Sequence, residues 1–376
     1  MLAALTALGL GAAFVDFATG HRRMRSLGDV APEQTCPPLS VITAARNEAR
    51  RIEVALTSLL RLDYPALEII VVNDRSTDET GAILDRLARQ HPRLTIRHIS
   101  ELPEGWLGKN YALHLGAAEA SGTLLLFTDA DVVFEPTTLR RAVALMKLDS
   151  LDHLAAIPDV RVPGIALNAF VAAFGVFFSL YSRPWKARDA RSRFHIGIGA
   201  FNLIRADVYR AIGTHRAIAM RPDDDMKLGK IVKKGGFRQE AVYGRDFITV
   251  EWYASLGELV DGLMKNAFAG VNYSLLAVAG TTAALFLTDV WPFLALVATH
   301  GLTRALNAAS VALIVLIFWT SAHYGGARLR YVVAFPAAAL LFAYIMWRSA
   351  LLAVTRGSVT WRGTAYPLAE MRANRV

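Results

Sequence analysis

The stretch LLLFTDADVVF, residues 124–134, is an unbroken apolar run that ends on carboxylates one residue apart. Such a run of Leu, Val and Phe is typical of a strand buried inside a sheet. Asp129 and Asp131 then follow the carboxyl end of that strand, where open α/β sheets bind ligands. Residues i and i+2 of an extended turn point the same way, so both carboxylates could face one divalent cation or a diphosphate that it bridges. A solvated turn without chemistry has the same short pattern, so the neighbouring segments must decide.

Strand-like and helical patterns alternate around this stretch and predict the fold. From residue 39, the strand patterns LSVITAARNE, LEIIVVND, LTIRHIS and TLLLFTDAD alternate with helices expected near residues 50–62, 77–90 and 110–120. This order indicates an α/β domain with a mainly parallel sheet, flanking helices and right-handed crossovers.

Polar side chains follow the first two predicted strands and are candidate nucleotide ligands. Asn47 and Glu48 follow the first strand and Asp74 the second, so they should meet Asp129 at one edge of the sheet. Asp74 stands before the cap of the next helix, where a carboxylate can accept hydrogen bonds from a ribose hydroxyl or a base amide. Lys109 precedes a helix in the glycine-containing segment LPEGWLGKNYAL, which fits either a phosphate neighbourhood or a surface lysine.

Three consecutive carboxylates, Asp223, Asp224 and Asp225, begin the helix predicted for RPDDDMKLGKIVKKGG. Favourable interaction with the helix dipole explains one or two of them. Three in a row repel one another, which raises the proton affinity of at least one. The cluster is therefore a candidate for acid–base chemistry.

The composition favours a membrane protein that carries a soluble domain. Of 376 residues, 54% are hydrophobic and 19% charged, and the formal charge is +9. With this hydrophobicity, the positive charge favours an anionic membrane surface over nucleic acid. Cys36 is the only cysteine, which excludes an intrachain disulfide and a cysteine-based zinc site.

Apolar segments on both sides of the α/β region predict the membrane topology. Residues 1–20 are expected to be an anchor with its carboxyl end in the cytoplasm, because arginines follow the apolar run. Residues 166–185 suit a helix in the membrane interface or, alternatively, a core helix of the soluble domain. Residues 271–355 contain three stretches long enough to span. Three crossings would put the basic tail, residues 356–376, opposite the soluble domain. Its arginines favour the cytoplasm, so one stretch is not expected to cross fully.

Five motifs together resemble the family 2 glycosyltransferases with a GT-A fold. VITAARNEA, VVNDRSTDET, WLGKNYAL, FTDADVVF and PDDDMKLG occur in that family's order and approximate spacing, and the resemblance covers roughly residues 39–270. It implies that Asp74 and Asp129 help to hold the nucleotide and that Asp131 coordinates a metal, Mg²⁺ or Mn²⁺, on the diphosphate. A later WRGTAY looks like a tail motif of membrane-bound members.

The same resemblance implies which carboxylate acts as the base. Aligning MKLG with the family pattern puts the acidic pair at Asp224 and Asp225, with Asp225 as the general base. Asp223 then falls outside the pair, as the carboxylate that interacts with the helix dipole.

One departure from the family's motifs limits the class of acceptor that we expect. The QxxRW motif of processive polysaccharide synthases is replaced by GLMKNAFAG, residues 262–270. The chain therefore resembles members that glycosylate one hydrophobic acceptor, such as ceramide, hopanoid or carotenoid glycosyltransferases. The resemblance implies an inverting hexosyltransferase that uses a nucleotide-diphosphate sugar, first of all a UDP-hexose, and a lipid hydroxyl in a bacterial inner membrane, with residues 39–270 in the cytoplasm.

Other functions fit the same residues. A polyprenyl-phosphate glycosyltransferase, a nucleotidyltransferase and a non-catalytic sensor of nucleotide sugars remain alternatives. Nucleic acid is not an expected partner, because the basic residues collect beside apolar segments. The sequence leaves open the sugar, the lipid, the metal and the oligomeric state.

Overall fold

The computed structural model describes residues 1–376, which divide into two compact units. We call them the helical unit and the sheet unit. The helical unit comprises Met1–Arg23, Arg161–Arg183 and Trp252–Arg372, and the sheet unit comprises Met24–Val160, Pro184–Glu251 and Ala373–Val376.

The strands and helices are numbered along the chain. The strands are β1 (Leu39–Ala45), β2 (Leu67–Asp74), β3 (Leu94–Ile99), β4 (Leu124–Asp129), β5 (Val132–Phe134), β6 (His153–Ile157), β7 (Asp159–Arg161), β8 (Asn202–Arg205), β9 (Gln239–Tyr243), β10 (Ile248–Glu251), β11 (Ser358–Trp361) and β12 (Thr364–Pro367). The helices are α1 (Leu2–Arg23), α2 (Ile52–Leu60), α3 (Thr80–Gln90), α4 (Gly108–Glu119), α5 (Thr138–Leu148), α6 (Ile165–Ser182), α7 (Ala206–Ala211), α8 (Asp224–Lys234), α9 (Leu256–Gly270), α10 (Leu275–Leu285), α11 (Trp291–Ala298), α12 (Gly301–Gly325), α13 (Phe335–Arg356) and α14 (Leu368–Ala373).

A seven-stranded sheet of order β3-β2-β1-β4-β8-β6-β9 forms the centre of the sheet unit. Strands β1 to β4 are parallel to one another, and β6 pairs in parallel with β9. Only β8 runs antiparallel to both of its neighbours. The predicted mainly parallel sheet is confirmed, while β8 was not among the predicted strands.

Helices cover both faces of this sheet. Val41 of β1 belongs to a buried cluster that includes side chains of α2, α3 and α5. Its neighbour Ile42 belongs to a second cluster with side chains of α4, α7 and α8. Successive strand residues point to opposite faces, so a strand covered on both sides must be apolar throughout. The continuous apolar runs in the sequence follow from this arrangement.

The helical unit contains long apolar helices. Five segments are long and apolar enough to cross a membrane: Leu2–Arg23, Ile165–Lys186, Leu275–Ala298, Gly301–Gly325 and Leu329–Arg356. In the third, a π-helical turn at Phe286–Val290 separates α10 from α11. The turn contains Asp289 and ends just before Pro292, and both a π-helical turn and a proline can kink a helix.

Helix α6 is the segment expected in the membrane interface. Its Phe177 is buried and packs on the rings of Phe335 and Phe342, at centroid distances of 5.1 and 5.8 Å. Ile165 and Tyr181 of the same helix are exposed. The interfacial location stays a prediction, and the exposed side chains, not Phe177, are the ones available to lipid.

The WRGTAY segment forms the hairpin β11–β12. Its two turn residues, Arg362 and Gly363, both have positive φ, as a type I′ turn requires. Lys265 of α9, within the segment that replaces QxxRW, lies 4.7 Å from the centroid of the Trp361 ring. A cation–π contact therefore joins α9 to the tail motif.

Candidate functional site

The carboxyl ends of β1, β2 and β4 bring the predicted nucleotide ligands to one edge of the sheet. Ala44 of β1 is paired with Val72 on one side and with Asp129 on the other, so the three strands end at nearly the same level. Asn47 follows β1, and Asp74 is the last residue of β2. The parallel register thus places together residues that are far apart in the sequence.

Asp74 is buried at this edge and held by two arginines. Its Oδ1 accepts a hydrogen bond from Arg75 Nε at 2.7 Å, and its Oδ2 lies 3.6 Å from Arg46 Nη1. The start of α4 packs directly on this carboxylate, since a Cβ at Gly108 would lie 2.2 Å from Asp74 Oδ2. A glycine is therefore required at residue 108 for this close approach.

Asn47 and Glu48 join the loop after β1 to the loop after β2. Asn47 Oδ1 accepts a hydrogen bond from Thr77 N at 2.8 Å, and the backbone N–H of Asn47 donates to Ser76 Oγ at 3.0 Å. The backbone N–H of Glu48 donates to Thr80 Oγ1 at 2.8 Å. The side-chain oxygen of Asn47 is thus used to hold the neighbouring loop.

Lys109 connects the DxD segment to the acidic cluster on α8. Its Nζ lies 2.8 Å from Asp129 Oδ1 and 3.2 Å from Asp224 Oδ2. Burial alone would lower the pKa of the Lys109 ammonium, but the carboxylates of Asp129, Asp224 and Asp225 together raise it. The charged ammonium therefore holds two carboxylates at the centre of the site.

Asp225 is positioned by the backbone of Gly199. Gly199 N donates to Asp225 Oδ2 at 2.8 Å, and the carbonyl of the same glycine accepts from Asp129 N at 3.0 Å. The Asp225 Oδ1 atom accepts from Met226 N at 2.7 Å. Burial, together with the neighbouring Asp224, raises the pKa of Asp225 to about 7. A carboxylate with a pKa near neutrality is well suited to accept a proton.

Asp223 has a role different from the one that the sequence indicated. Its carboxylate accepts from Arg221, with Oδ1 2.9 Å from Nε, and Arg221 is almost fully buried. Lys227 Nζ lies 3.3 Å from the other oxygen, and Asp223 makes no side-chain capping bond to α8. We therefore interpret Asp223 as a member of a buried ion pair, and no longer as a carboxylate that interacts mainly with the helix dipole.

Asp131 is the residue expected to hold a metal. Burial and the nearby carboxylates of Asp129 and Glu48 raise the pKa of Asp131 to about 7, while Arg51 at 3.7 Å opposes this effect. No three His, Cys, Asp or Glu side chains converge into a metal site made by protein alone. Mg²⁺ commonly binds through one or two carboxylates plus substrate phosphates. The crowded negative charge at Asp131 therefore fits a divalent cation that arrives with a diphosphate.

A cavity beside these residues includes groups that the sequence did not single out. It is lined by Lys109, Asp224 and Asp225, and also by Gly199, Asn202 and His215. The glycines of HIGIGAFN were the available signal for Gly199, because a Cβ there would lie 2.6 Å from Asp129 Oδ2. His215 gave no signal, since an isolated histidine has no motif around it.

Known proteins similar to this chain are glycosyltransferases. Residues 40–213 match the profile of the family described as Glycosyl transferase family 2. The 4,4'-diaponeurosporenoate glycosyltransferase of Staphylococcus aureus (strain USA300) is 23% identical over 346 residues, covering 88% of this chain and 89% of that protein. The protein of the same name from strain MRSA252 is 22% identical over 345 residues.

One solved structure shares the fold over nearly the whole chain. It is the mannosyltransferase PcManGT from Pyrobaculum calidifontis in complex with GDP-Man and Mn²⁺, with a TM-score of 0.52 and 21% sequence identity. The match covers 94% of this chain and 98% of that one. The fold is therefore GT-A, with apolar helices near both ends of the chain.

Proposed function

We propose, since this chain carries a family 2 glycosyltransferase domain on a GT-A fold, that it transfers a sugar from a nucleotide-diphosphate sugar to the hydroxyl of a membrane lipid. The observation that carries the proposal is the link made by Gly199. The backbone of Gly199 holds Asp225, whose pKa lies near neutrality, through its N–H, and Asp129 of the DxD segment through its carbonyl. Displacement at an anomeric carbon needs a base for the acceptor hydroxyl and a site for the diphosphate, held in one fixed geometry.

The nucleotide would lie along the carboxyl edge of β1, β2 and β4. Asp74, held by two arginines, would accept hydrogen bonds from the nucleoside. Asp129 and Lys109 would lie at the diphosphate, and Asp131 would hold Mg²⁺ or Mn²⁺. When bound there, the metal supplies neutralising positive charge for the leaving diphosphate.

Asp225 would act on the acceptor. Its carboxylate takes the proton of the acceptor hydroxyl while the hydroxyl oxygen forms a bond to the anomeric carbon. The bond from that carbon to the diphosphate oxygen breaks, and the nucleoside diphosphate leaves with the electron pair. A single displacement of this kind inverts the anomeric configuration.

A lipid acceptor is supported by the helical unit and by a relative. Five segments are long and apolar enough for a membrane. The S. aureus relative is named for glycosylating 4,4'-diaponeurosporenoate, which we take as an indication of a hydrophobic acceptor. The location we propose is the bacterial inner membrane, with the sheet unit in the cytoplasm.

The test is transfer in membranes from cells that express the chain. Membranes are incubated with Mn²⁺, a lipid extract and UDP-glucose, UDP-GlcNAc or GDP-mannose, and the lipids are compared by mass spectrometry with those from membranes carrying Asp225→Asn. A lipid gaining one hexose or N-acetylhexosamine only with the unchanged chain supports the proposal. Nucleotide-sugar consumption with no glycosylated lipid would favour nucleotidyl or hydrolytic chemistry, and binding without turnover would favour a sensor. A product on polyprenyl phosphate would identify the alternative acceptor class.

A further inference from the structure

His215 lines the cavity beside Asp224 and Asp225 and has had no role so far in the reaction. It begins the short 3-10 helix His215–Ile218, and only 1% of its surface is exposed. Its side chain makes one hydrogen bond, through Nδ1 to the hydroxyl of Tyr209 at 2.7 Å. The other ring nitrogen, Nε2, makes no hydrogen bond to the protein. Since His215 lines the cavity, Nε2 is the ring atom that a bound group could meet there.

The bonding around Tyr209 favours one tautomer of His215. The Tyr209 oxygen already accepts the backbone N–H of His215 at 3.0 Å, so we assign its phenol proton to the bond with Nδ1. An imidazole that accepts at Nδ1 carries its own proton on Nε2. Burial and the nearby Lys109 lower the pKa of His215 to about 3, so the ring is neutral. His215 therefore offers a single N–H donor at Nε2.

The cavity combines this donor with strong acceptors. Asp224 and Asp225 can accept hydroxyl protons, and Lys109, which also lines the cavity, is already paired with Asp129 and Asp224. A sugar hydroxyl both donates and accepts, so it matches a wall that carries both kinds of group. Resting on the function proposed above, we propose that His215 Nε2–H donates to a hydroxyl oxygen of the transferred sugar, and that Tyr209 is the positioning residue that keeps the proton on Nε2.

The aromatic surroundings allow a nearly isosteric test. The ring of His215 packs edge-on against Phe127 at 4.7 Å and lies 5.6 Å from the ring of Tyr209. His215→Phe keeps an aromatic ring there and removes the donor, but it also leaves the Tyr209 proton without an acceptor. The double variant Tyr209→Phe/His215→Phe avoids that buried unsatisfied hydroxyl, and the backbone N–H at residue 215, which donates to Tyr209, is then the only group that loses its partner.

The measurement compares donors with and without the sugar. Calorimetry with Mn²⁺ is run on the detergent-solubilised full chain with UDP-glucose, UDP-GlcNAc and GDP-mannose, and then with UDP and GDP. Both variants should bind the sugar nucleotide about tenfold more weakly, as expected for one lost hydrogen bond, and should bind UDP or GDP as the unchanged chain does. His215→Gln, whose amide N–H reaches farther than that of Asn, should recover part of the loss.

Tyr209→Phe alone tests the positioning role. It retains the imidazole but no longer directs the proton to Nε2, so sugar-nucleotide affinity should fall by less than in His215→Phe while UDP affinity stays unchanged. Deoxy analogues of the bound sugar then identify the hydroxyl. The analogue that lacks the contacted hydroxyl should bind equally to the unchanged chain and to His215→Phe.

Two results would overturn the inference. Unchanged sugar-nucleotide affinity in both variants would remove His215 from the sugar site. An equal loss for UDP and for the sugar nucleotide would show that the residue acts on the diphosphate or on the fold. If the unchanged chain binds UDP or GDP but none of the sugar nucleotides, the proposed function itself fails, and this inference falls with it.

Discussion

Asp223 and Asp225 stand one residue apart at the start of α8, yet their surroundings give them different roles. Asp223 forms an ion pair with the buried Arg221. Asp225 instead accepts hydrogen bonds from backbone N–H groups and has a pKa raised to about 7. Burial and a neighbouring carboxylate raise the pKa of Asp225 more than Lys109 lowers it, whereas a close guanidinium stabilises the charged form of Asp223. The contacts of each side chain, more than its place in the acidic run, decide whether its carboxylate has a structural or a chemical role.

Asp225→Asn keeps the size of the side chain but removes the proton acceptor. Loss of general-base catalysis should lower the transfer rate by about 10²- to 10⁴-fold. Sugar-nucleotide binding with Mn²⁺, measured by calorimetry, should change little. The matched control is Asp207→Asn, an exposed carboxylate in the first turn of α7 that should leave activity unchanged. Normal transfer by Asp225→Asn would move the base elsewhere.

The same carboxylate should set the pH dependence. The raised pKa keeps Asp225 protonated, and so inactive as a base, below about pH 7. For the unchanged chain, kcat/KM should rise about tenfold per pH unit below this value and level off above it, because kcat/KM reports ionisation of the free enzyme. Asp225→Asn should lack this rise, and a rise that survives in the variant would belong to another group.

Asp223→Asn should act through stability. It leaves the guanidinium of Arg221 buried without its carboxylate partner, which typically costs about 3–5 kcal/mol. Thermal denaturation should therefore show a clear loss, with activity falling in proportion to the folded fraction. A stable but inactive Asp223→Asn protein would instead mean that Asp223, and not Asp225, belongs to the catalytic pair.

Asp131→Ala tests the metal proposed at the DxD segment. Chelation with EDTA should abolish transfer by the unchanged chain, and added Mn²⁺ or Mg²⁺ should restore it. If Asp131 holds the metal on the diphosphate, Mn²⁺ should strengthen UDP binding by the unchanged chain but not by Asp131→Ala. Full transfer in EDTA would exclude a metal-dependent mechanism.

Among the elements, the loop between α7 and α8 carries His215 and Arg221 and is held from two sides. The amide nitrogen of Asn110, on α4, donates to the carbonyls of Ile218, Ala219 and Arg221 at 2.8 to 3.1 Å. From the end of the chain, Asn374 Oδ1 accepts from Met220 N and Asn374 Nδ2 donates to Ala217 O. These bonds fix the loop that leads into the acidic start of α8.

Asn110→Ala should release this loop from α4. The carbonyls of Ile218 and Ala219 keep the backbone donors Arg221 N and Leu107 N, so the cost is that of the lost amide bonds, about 1 kcal/mol for each. Thermal stability and sugar-nucleotide affinity should both fall. Asn168→Ala is the matched control, because Asn168 holds the start of α6 through two carbonyls in the helical unit. It should leave sugar-nucleotide affinity unchanged, and an equal effect of both variants would mean that the loss is not specific to the site.

For the whole molecule, the position of the last residues constrains the topology. Ala373–Val376 belongs to the sheet unit, as does Glu251, and three membrane-length segments lie between them. A folded domain lies on one side of a bilayer, so an odd number of crossings cannot return the chain to it. We therefore expect that at least one of the three segments does not cross fully.

The single cysteine allows this topology to be measured. A membrane-impermeant maleimide should label Cys36 and, in a Cys36→Ser background, Arg375→Cys from the same face of the membrane. Arg328→Cys, between α12 and α13, then indicates on which side those helices are joined. Labelling of Arg375→Cys only from the face opposite to Cys36 would contradict the expectation. That result would also mean that the tail and the sheet unit lie on opposite sides of the membrane.

The sequence by itself was enough to predict the main elements and the resemblance to a family. Continuous apolar runs that alternate with helical segments, with carboxylates after the strands, were enough to predict the parallel sheet, and α2, α3 and α4 lie within a few residues of their predicted bounds. The five ordered motifs were enough to indicate a family 2 glycosyltransferase, because each consists of residues close together in the chain. Antiparallel β8 was missed, since its four residues are too few to show a period.

Only the tertiary structure decided what surrounds each candidate side chain. The bridge made by Lys109 and the raised pKa of Asp225 depend on groups brought together from distant segments, whereas the partner of Asp223, Arg221, is two residues away and is buried only by packing. The hydrogen bond from Tyr209 to His215 is local in sequence, yet it matters only because folding places that ring beside Asp224 and Asp225. Burial and electrostatic interactions are properties of packing, and a linear pattern does not contain them.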